Sequence, residues 1–295
     1  MSVVEQDYPN LEVVVSDDGS NDGTIEAILD CAQMYPGRVV PLVNGPHLGI
    51  TGNCNRALGA CRGKYIAFQG GDDIFLPGKI SNQVAWFEVD ERRVLCGHKC
   101  EVFDSTTGRP YYISSANHIG KGASAYIKYG NLFLPISIMV RASCIPSTGF
   151  NERIKIGSDW HFFIECLADG GTYGFIEGVY ARYRRNVENI SEKWRTDVSI
   201  RTEWFEDNFF TLAWFEVHYP EYLSSCTYNK SIRLLTMGKA IYFQQQNIRL
   251  ARQYLINSLR YRLNYRVVVW LVLTYMPIKF QNYILSNFLK KTPMW

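Results

Sequence analysis

Asp17 and Asp18 form a pair of adjacent carboxylates at the end of a short apolar run, Leu11 to Ser16. Runs of β-branched residues of this length predict a buried strand, and the Gly19 that follows predicts a tight turn. In open α/β sheets, ligands bind in the crevice beyond the carboxyl ends of the strands. Two acids in such a place are costly unless water, a donor or a cation meets them, so this pair is a candidate binding site.

Three other interpretations of this pair differ in what they require of its neighbours. A calcium loop that starts at Asp18 needs a bidentate Glu at its last ligand position, where this chain has Leu29. A phosphatase motif over residues 20–24 needs a nucleophilic Asp, where this chain has Ser20. An Asx turn that caps the next helix and binds nothing needs neither residue, so it stays open for this motif alone.

A second acid pair, Asp72 and Asp73, follows the apolar run 65–68 through Gly70 and Gly71. Glycines let a bulky ligand approach the backbone, and carboxylates can hold Mg²⁺ or Mn²⁺ against a diphosphate. An ordinary glycine-rich turn is the alternative. Two acidic strand ends in one sheet favour a nucleotide, with one pair near its base or ribose and the other near the metal and the phosphates.

A third acid, Asp159, stands at the predicted start of a helix. There it is either an acid favoured by the helix dipole or, if it faces the crevice, a group that accepts a proton from an attacking hydroxyl. Arg182, Arg184 and Arg185 follow a predicted strand. They could reach phosphates, and a solvated basic edge is equally compatible with the pattern.

The elements that must position these residues alternate between strand and helix, which indicates a mostly parallel, doubly wound α/β sheet. Strands are predicted at 11–16, 38–43, 65–68, 94–103, 136–140 and 173–183, and helices from 24, over 53–61, over 79–89 and from 158. Beyond residue 195 the pattern is helical and aromatic. We therefore expect an α/β domain over 1–195 and a helical extension over 196–295.

The charge is distributed unevenly along the 295 residues. Residues 222–295 contain eleven Lys and Arg and no Asp or Glu, whereas the rest of the chain has a net charge of −8. Such a basic, aromatic segment fits an anionic membrane surface or a helical appendage packed on the domain, and no nucleic-acid motif accompanies it. The longest apolar run, 267–276, is too short to span a bilayer.

The eight cysteines lack the spacing of a small disulfide-linked domain, which favours free thiols in a reducing cytoplasm. Cys96 and Cys100 flank His98, but no second ligand pair accompanies them. We therefore do not expect a zinc site.

Several motifs in a fixed order resemble the family 2 inverting glycosyltransferases with the GT-A fold. They are Gln6-x-Tyr8-Pro9-Asn10, Asp17-Asp18-Gly19-Ser20-x-Asp22-Gly23-Thr24, Leu48-Gly49-Ile50 leading to Asn55, Gly63 to Phe68 running into Asp72-Asp73 with Pro77 and Lys79 behind, Gly149-Phe150-Asn151-Glu152 ahead of Ser158-Asp159-Trp160, and Tyr183-Arg184-Arg185 before Asn189-Ile190-Ser191. The resemblance covers about residues 1–195 and implies a Rossmann-like, mixed and mostly parallel sheet flanked by helices.

The resemblance also implies a function and its residues. It implies transfer of a sugar from a nucleotide-diphospho-sugar, most often a UDP sugar, to a hydroxyl of a glycan or a lipid-linked acceptor, with Mn²⁺ or Mg²⁺. Asp159 would be the general base and Asp72 the metal ligand. The expected nucleotide-sugar-binding residues are Asp18, Gly19, Ser20, Asn55, Gly71, Asp72 and Asp73. The expected setting is surface polysaccharide or glycolipid synthesis, in the cytoplasm at the inner face of the cell membrane.

The chain departs from the family pattern at single positions and at its start. Gly70 stands where the first carboxylate of the metal motif is usual, Ser158 replaces an acid, Cys54 an Arg and Asn186 a His. The family's first strand is absent, so we expect a truncated domain or a sheet without that strand. A nucleotide-sugar-binding protein with impaired catalysis and a membrane-associated scaffold are the alternative functions.

Overall fold

A computed structural model describes residues 1–186, 193, 197–244, 247–277 and 279–280. Its strands are β1 (Val13–Ser16), β2 (Val39–Leu42), β3 (Tyr65–Ala67), β4 (Ile74–Phe75), β5 (Arg93–Asp104), β6 (Pro110–Ile113), β7 (Gly120–Lys121), β8 (Met139–Arg141) and β9 (Thr172–Arg185). Its α-helices are α1 (Thr24–Met34), α2 (Gly49–Ala60), α3 (Lys79–Glu88), α4 (Ser124–Tyr129), α5 (Ser158–Ala168), α6 (Val198–His218), α7 (Leu223–Gln244), α8 (Ile248–Tyr261) and α9 (Tyr265–Leu273).

The strands of the described residues form two sheets. β1 and β2 pair in parallel, and together with α1 we call them the N-terminal sheet region. The other strands form the central sheet, in which β3, β8, β5, β9 and β4 lie side by side in that order, with β6 beside β5 and β7 beside β9. The long strands β5 and β9 pair in parallel, and the shorter strands join antiparallel.

The central sheet is much better buried than the N-terminal sheet region. Along β5 most residues are buried, because α3 covers it on one side and α5 contacts it as well. The cluster between α3 and this sheet is made of Phe75, Ile80, Val84, Phe87, Cys96, Cys100, Ile136, Met139 and Ala181. By contrast, all residues of β1 are half-buried and no residue of α1 is buried.

The core of the central sheet encloses a lysine. The Lys79 side chain is fully buried, and its Nζ donates to Gln83 Oε1 at 2.6 Å and lies 4.6 Å from the centre of the Phe75 ring. Gln83 Nε2 donates in turn to the carbonyls of Cys96 and Ser137 at 2.8 and 2.9 Å. Burial lowers the pKa of Lys79 to about 7, since no carboxylate compensates the ammonium charge there.

The chain divides into two compact units, residues 1–211 and 212–295. The division falls inside α6 and not at the predicted boundary between residues 195 and 196. Asp207 of α6 explains why the first part of this helix belongs to the α/β unit: its Oδ2 accepts the amide hydrogen of Ile156 at 2.7 Å, just ahead of α5.

The second unit is helical. Its apolar cluster consists of Leu235, Leu255, Val267, Trp270 and Leu273, from α7, α8 and α9. α7 and α8 lie close together, as the hydrogen bond from Ser258 Oγ to the carbonyl of Ser231 shows, at 2.7 Å. Among the helices of the described residues, none has both the length and the apolar character that crossing a bilayer requires.

The predicted α/β architecture with a C-terminal helical extension is confirmed. The structure differs from the sequence predictions at several points. The two acidic strand ends, of β1 and β3, are predicted to lie in one sheet but belong to two. α2 begins at Gly49, ahead of the predicted start at Asn53, and the predicted strand at 136–140 is a short 3₁₀ turn, Pro135–Ser137, followed by β8. All eight cysteines are free thiols.

Candidate functional site

The two acids of the first pair, Asp17 and Asp18, have different surroundings at the end of β1. Asp17 is buried, and its Oδ2 accepts the amide hydrogens of Gly19 and Ser20 at 2.8 Å each. Hydrogen bonds from Ser20 lower the pKa of Asp17. Gly19 has a φ of 95°, in the left-handed region that other residues rarely adopt. Asp17 therefore shapes the turn, and Asp18 is the acid of the pair that a ligand can approach.

Asp18 already has partners from the segment just ahead of α2. Its Oδ1 accepts the amide hydrogen of Leu48 at 2.6 Å, and its Oδ2 lies 3.0 Å from Nδ1 of His47. The Asp18 side chain is 22% exposed and the His47 side chain 81% exposed. A ligand that binds this carboxylate must share it with, or displace, the exposed His47 ring.

Helix α2 fixes the end of β1. Asn53 Nδ2 donates to the carbonyl of Ser16 at 3.0 Å, and Ser16 Oγ donates to Asn53 Oδ1 at 2.6 Å. Arg56 donates to the carbonyls of Asp17 and Val43 at 3.3 and 3.2 Å. The position of the first acid pair therefore depends on side chains of α2.

Helix α2 also fixes the segment that leads into α5. Asn55 Nδ2 donates to the carbonyl of Phe150 and to Glu152 Oε1, both at 2.9 Å, and Asn55 Oδ1 accepts the amide hydrogen of Phe150 at 2.7 Å. Thr51 Oγ1 donates to the carbonyl of Ile154 at 2.8 Å. The predicted contact of Asn55 with a nucleotide sugar would therefore require these bonds to break.

The second acid pair converges above Gly70, at the end of β3. A Cβ atom on Gly70 would lie 3.2 Å from Asp72 Oδ1 and 3.3 Å from Asp73 Oδ2. Arg184 of β9 holds this turn: its amide donates to Asp73 Oδ1 at 2.8 Å and its Nε donates to the carbonyl of Asp72 at 2.7 Å. Burial, with the nearby Asp72 charge, raises the pKa of Asp73 to about 6.

The convergence above Gly70 fits a divalent cation that is bound together with a diphosphate. Asp72 is exposed, so its carboxylate is accessible, and Asp73 Oδ2 points to the same place. Mg²⁺ is usually held by one or two carboxylates together with phosphates and waters. Among the described residues, no group of three or more His, Cys, Asp or Glu side chains could hold a metal without such help.

Asp159 lies in the first turn of α5, as predicted. Its Oδ1 accepts the amide hydrogen of Trp160 at 2.7 Å, and its Oδ2 accepts a hydrogen bond from Asn131 Nδ2 at 3.1 Å. Burial raises the pKa of Asp159. A carboxylate whose pKa is raised is a better proton acceptor than an ordinary surface Asp.

An aromatic cluster joins the second acid pair to α5. Phe68 follows β3 directly, two residues before Gly70, and its ring contacts the rings of Phe150, Phe162 and Phe163 with centroid distances of 5.7–5.9 Å. The turn that carries Asp72 and the helix that carries Asp159 therefore pack on the same side chains.

The three predicted arginines have different partners. Arg184 holds the Asp72–Asp73 turn, whereas Arg182 Nε donates to Glu101 Oε1 at 2.6 Å. Arg185 lies over the ring of Tyr111, 5.8 Å from its centroid. The Asn189–Ser191 part of the predicted motif lies outside the described residues.

A cavity with a volume of about 380 Å³ lies away from the acids of the candidate site. Its lining includes Arg92, next to the first residue of β5, and Thr172, the first residue of β9. Asp72 and Asp73 contact Arg184 near the last residue of β9, at the other end of that strand. This cavity is therefore not the candidate site formed by the acids.

Sequence reasoning missed several residues that hold the acids. Asn131 lies in an irregular segment with no periodic pattern, and His47 lies outside the motifs. Thr51 lies ahead of residue 53, where the sequence predicts the start of this helix, so that prediction does not include it. Asn53 lies within the predicted helix together with Asn55, and this shared helix is the only sequence signal for its role.

Comparisons with known proteins agree with the resemblance to the family 2 glycosyltransferases. Residues 1–145 match the model of Glycosyl transferase family 2. An uncharacterized glycosyltransferase of Methanocaldococcus jannaschii is 23% identical over 215 residues, which is 71% of this chain and 74% of the relative. The Escherichia coli enzyme UDP-Glc:alpha-D-GlcNAc-diphosphoundecaprenol beta-1,3-glucosyltransferase WfaP is 34% identical over 90 residues, 30% of this chain and 35% of the relative.

A solved structure shares the fold. S. aureus TarS 1–349, crystallised in complex with UDP, matches 88% of this chain and 73% of its own length with a TM-score of 0.58 and 16% identity. At that identity the likeness shows the fold alone. The match to the family model identifies residues 1–145 as a Glycosyl transferase family 2 domain.

Proposed function

We propose that this chain transfers a sugar from a nucleotide-diphospho-sugar, in particular a UDP sugar, to a hydroxyl acceptor with inversion at the anomeric carbon. The observation that carries the proposal is that Leu48, just ahead of α2, holds Asp18, while Asn55 of α2 holds the segment ahead of Asp159. The start and the body of one helix thereby position a candidate nucleoside contact and a candidate base.

The donor assignment has support from two directions. S. aureus TarS, which shares the fold, was crystallised with UDP and with UDP-GlcNAc, and the E. coli relative is named for a UDP-glucose donor. Within this chain, Asp18 would accept a hydrogen bond from the nucleoside, with Gly19 and Ser20 in the adjacent turn. Asp72, Asp73 and Gly71 would lie along the diphosphate.

A divalent metal, Mn²⁺ or Mg²⁺, fits the oxygens that converge above Gly70. Asp72 would be its ligand, with Asp73 beside it, and the diphosphate would supply further oxygens. Bound there, the metal would neutralise charge on the leaving diphosphate. Arg184 keeps the turn in place through its bonds to Asp72 and Asp73.

Asp159 would act on the acceptor. Its carboxylate would take the proton of the acceptor hydroxyl while the oxygen forms a bond to the anomeric carbon. The bond between that carbon and the diphosphate oxygen breaks, and the diphosphate leaves with the bonding electrons. The hydrogen bond from Asn131 holds one carboxylate oxygen, so the other can be directed at the hydroxyl after its bond to the Trp160 amide opens. A single displacement of this kind inverts the configuration.

The acceptor class follows from the relatives and from the charge of the C-terminal segment. The E. coli relative acts on a diphosphoundecaprenol-linked sugar, so we propose a glycan or lipid-linked acceptor in surface polysaccharide or glycolipid synthesis. We place the reaction in the cytoplasm, with the chain peripheral at the inner face of the membrane. No nucleic acid is part of this proposal.

The test is release of UDP from UDP sugars with Mn²⁺, with and without an acceptor, for the wild type and for Asp159→Asn. The amide cannot accept the proton, so we expect the rate to fall about 10³-fold. Asp169→Asn, at the other end of α5, is the matched control and should keep the wild-type rate. Unchanged turnover in Asp159→Asn would exclude Asp159 as the base.

A second candidate function is nucleotide-sugar binding without transfer. Two observations favour it: both carboxylate oxygens of Asp18 have partners, and Gly70 supplies no ligand to the metal position. Calorimetry with UDP and Mn²⁺ tests binding separately from turnover. Binding heat without turnover of any UDP sugar would favour this second function, and no heat with any nucleotide would exclude both.

A further inference from the structure

Helix α9 of the second unit is apolar on two faces. Val267, Trp270 and Leu273 are buried in the apolar cluster that α9 shares with α7 and α8. Leu271 packs against the same cluster, whereas Val268, Val269 and Val272 do not belong to it. A helix that is apolar all round is normally covered on all sides, so its outer face needs a partner.

The outer face forms a continuous stripe at helical spacing, three or four residues apart. We call it the outer stripe, and its exposed fractions are 72% for Tyr265, 39% for Val268, 50% for Val269, 49% for Val272 and 62% for Tyr275. Leu263, just before the helix, is 82% exposed. Exposed apolar side chains that adjoin one another mark an interaction surface more often than scattered ones do.

Basic side chains surround the outer stripe. Arg262 and Arg266 are exposed at its N-terminal end, and Lys279 is exposed beyond its C-terminal end. Arg252 lies over the ring of Tyr275, 3.6 Å from its centroid. No Asp or Glu occurs between residues 222 and 295, so no acidic side chain of this segment balances the positive charge.

Charge and shape together select one partner. A second copy of this chain would bring the same positive charge against itself, which disfavours a pair of stripes. Nucleic acid would match the charge but not a row of valines. An anionic lipid surface matches both, because its headgroups take arginine and lysine while its acyl boundary takes short apolar side chains.

We infer that the outer stripe of α9 is the surface through which this chain binds an anionic lipid bilayer. The valines enter the boundary between headgroups and acyl chains, and the arginines contact lipid phosphates. Tyr265 and Tyr275 lie at the level of the headgroups, where aromatic rings with a polar end are favoured. The inference names the surface behind the proposed peripheral location, and it does not depend on catalysis.

The test is co-sedimentation of the full chain with vesicles of phosphatidylglycerol and phosphatidylcholine, compared with phosphatidylcholine alone. We expect binding to the anionic vesicles only. The triple variant Val268→Ser, Val269→Ser, Val272→Ser should bind them at least tenfold more weakly. Val217→Ser, a single change at a valine of α6 that is 75% exposed and lies outside the outer stripe, should bind like the wild type.

A second variant tests the charges without touching the stripe. Arg262→Gln with Arg266→Gln should weaken binding by about fivefold per arginine and reduce its dependence on salt. Circular dichroism of each variant checks that the helices remain. Calorimetry with UDP checks the donor site separately, so a failure of lipid binding and a failure of the proposed function give different results.

Three outcomes would overturn the inference. The first is wild-type protein that stays in the supernatant with anionic vesicles, or that binds neutral vesicles equally well. The second is a triple variant that sediments like the wild type. The third is a triple variant whose mass in solution falls while its vesicle binding is unchanged, which would assign the outer stripe to a contact between copies of the chain.

Discussion

The N-terminal sheet region and the central sheet both carry acids of the candidate site, but the two regions differ strongly in how well they are buried. In the central sheet, β5 is buried over most of its length and α5 buries nine of its eleven residues. In the N-terminal sheet region, α1 buries none of its residues and β1 is half-buried throughout. Asp18 therefore depends on the less well-packed region, whereas Asp72, Asp73 and Asp159 are attached to the tightly packed one.

The two regions hold their acids in place by different interactions. Packing alone does not hold the end of β1, so hydrogen bonds from Asn53 and Arg56 of α2 do so. The turn with Asp72 and Asp73 has both the core beneath it and the bonds from Arg184. We expect changes in packing to affect the two regions unequally.

The largest effect should come from deleting the same atoms in each region. Ile164→Ala, in α5, removes a fully buried side chain, and we expect the free energy of unfolding to fall by about 4 kcal/mol. Ile28→Ala, in α1, removes a half-buried one, with an expected loss of about 1 kcal/mol. Urea unfolding followed by tryptophan fluorescence measures both. Equal losses would show that the N-terminal sheet region is as well packed as the core.

The buried Lys79 should give the next largest effect. Its folded pKa, about 7, lies below the value in the unfolded chain, about 10. The unfolded chain therefore binds more protons between these values, and stability should rise as the pH increases from 7 towards 9. Lys79→Met should flatten this slope and raise stability at pH 7 by about 1–3 kcal/mol. Thermal unfolding across this pH range measures the slope.

An exposed lysine is the control for Lys79. Lys121→Met, on β7, removes a surface charge and should leave the pH dependence of the melting temperature as it is in the wild type. A Lys79→Met variant that keeps the wild-type slope would mean that Lys79 is charged and compensated in the folded protein.

Acids of the two regions should respond to neutralisation with opposite signs. Asp73 has a raised pKa of about 6, so the folded state binds more protons between about pH 4 and 6, and stability falls as the pH rises through that window. Asp73→Asn should remove that fall and raise stability at pH 7.5 by roughly 1 kcal/mol. The measurement is thermal unfolding with EDTA present, so that no bound cation contributes.

Asp22, just ahead of α1, is the matched acid of the other region. Hydrogen bonds from Thr24 lower the pKa of Asp22, so its contribution is present at neutral pH and is lost as the pH falls through the lowered value. Asp22→Asn should therefore lower stability at pH 7.5. If both variants shift stability in the same direction, the assigned environments of these two carboxylates are wrong.

The smallest effect concerns the exposed contact on Asp18. His47→Ala removes the ring that lies 3.0 Å from Asp18 Oδ2, and the Leu48 amide keeps its bond to Oδ1. We expect UDP to bind about two- to threefold more tightly, because one competitor for the carboxylate is gone, with stability almost unchanged. Calorimetry with UDP and Mn²⁺ measures this, with His218→Ala as the control. Weaker binding would show that His47 itself contacts the nucleotide.

Much of the fold could be predicted because its signals are local. The run of valines in β1 and the Asp-Gly turn after it need no partner to be recognised, and β3, α3 and α5 follow similar patterns. The two-residue strand β4 and the short β7 lack such a signal, since they exist only through pairing with β9. The contact between Asp207 of α6 and the backbone of Ile156 also has no local signal, because the two residues lie far apart in sequence.

The sequence singled out the acids of the candidate site but not the groups that hold them. Asp72, Asp73 and Asp159 lie at a strand end and a helix start, where sequence patterns are informative. Asn131 and His47 come from irregular segments, and only the folded chain brings them to Asp159 and Asp18. Asn55 was predicted to bind the nucleotide sugar, yet its amide is engaged by the backbone of Phe150 and by Glu152.

The bonds made by α2 constrain how this chain can change in evolution. Any side chain at Gly149, which has a φ of 66°, would place its Cβ 2.5 Å from Asn55 Oδ1 and open the segment that leads to α5. A substitution that moves α2 would disturb the surroundings of Asp18 and of Asp159 together. If Asp18 and Asp159 have the proposed roles, donor and acceptor preferences can change independently only through residues outside α2, and Asn131, which contacts Asp159 and not Asp18, is such a position.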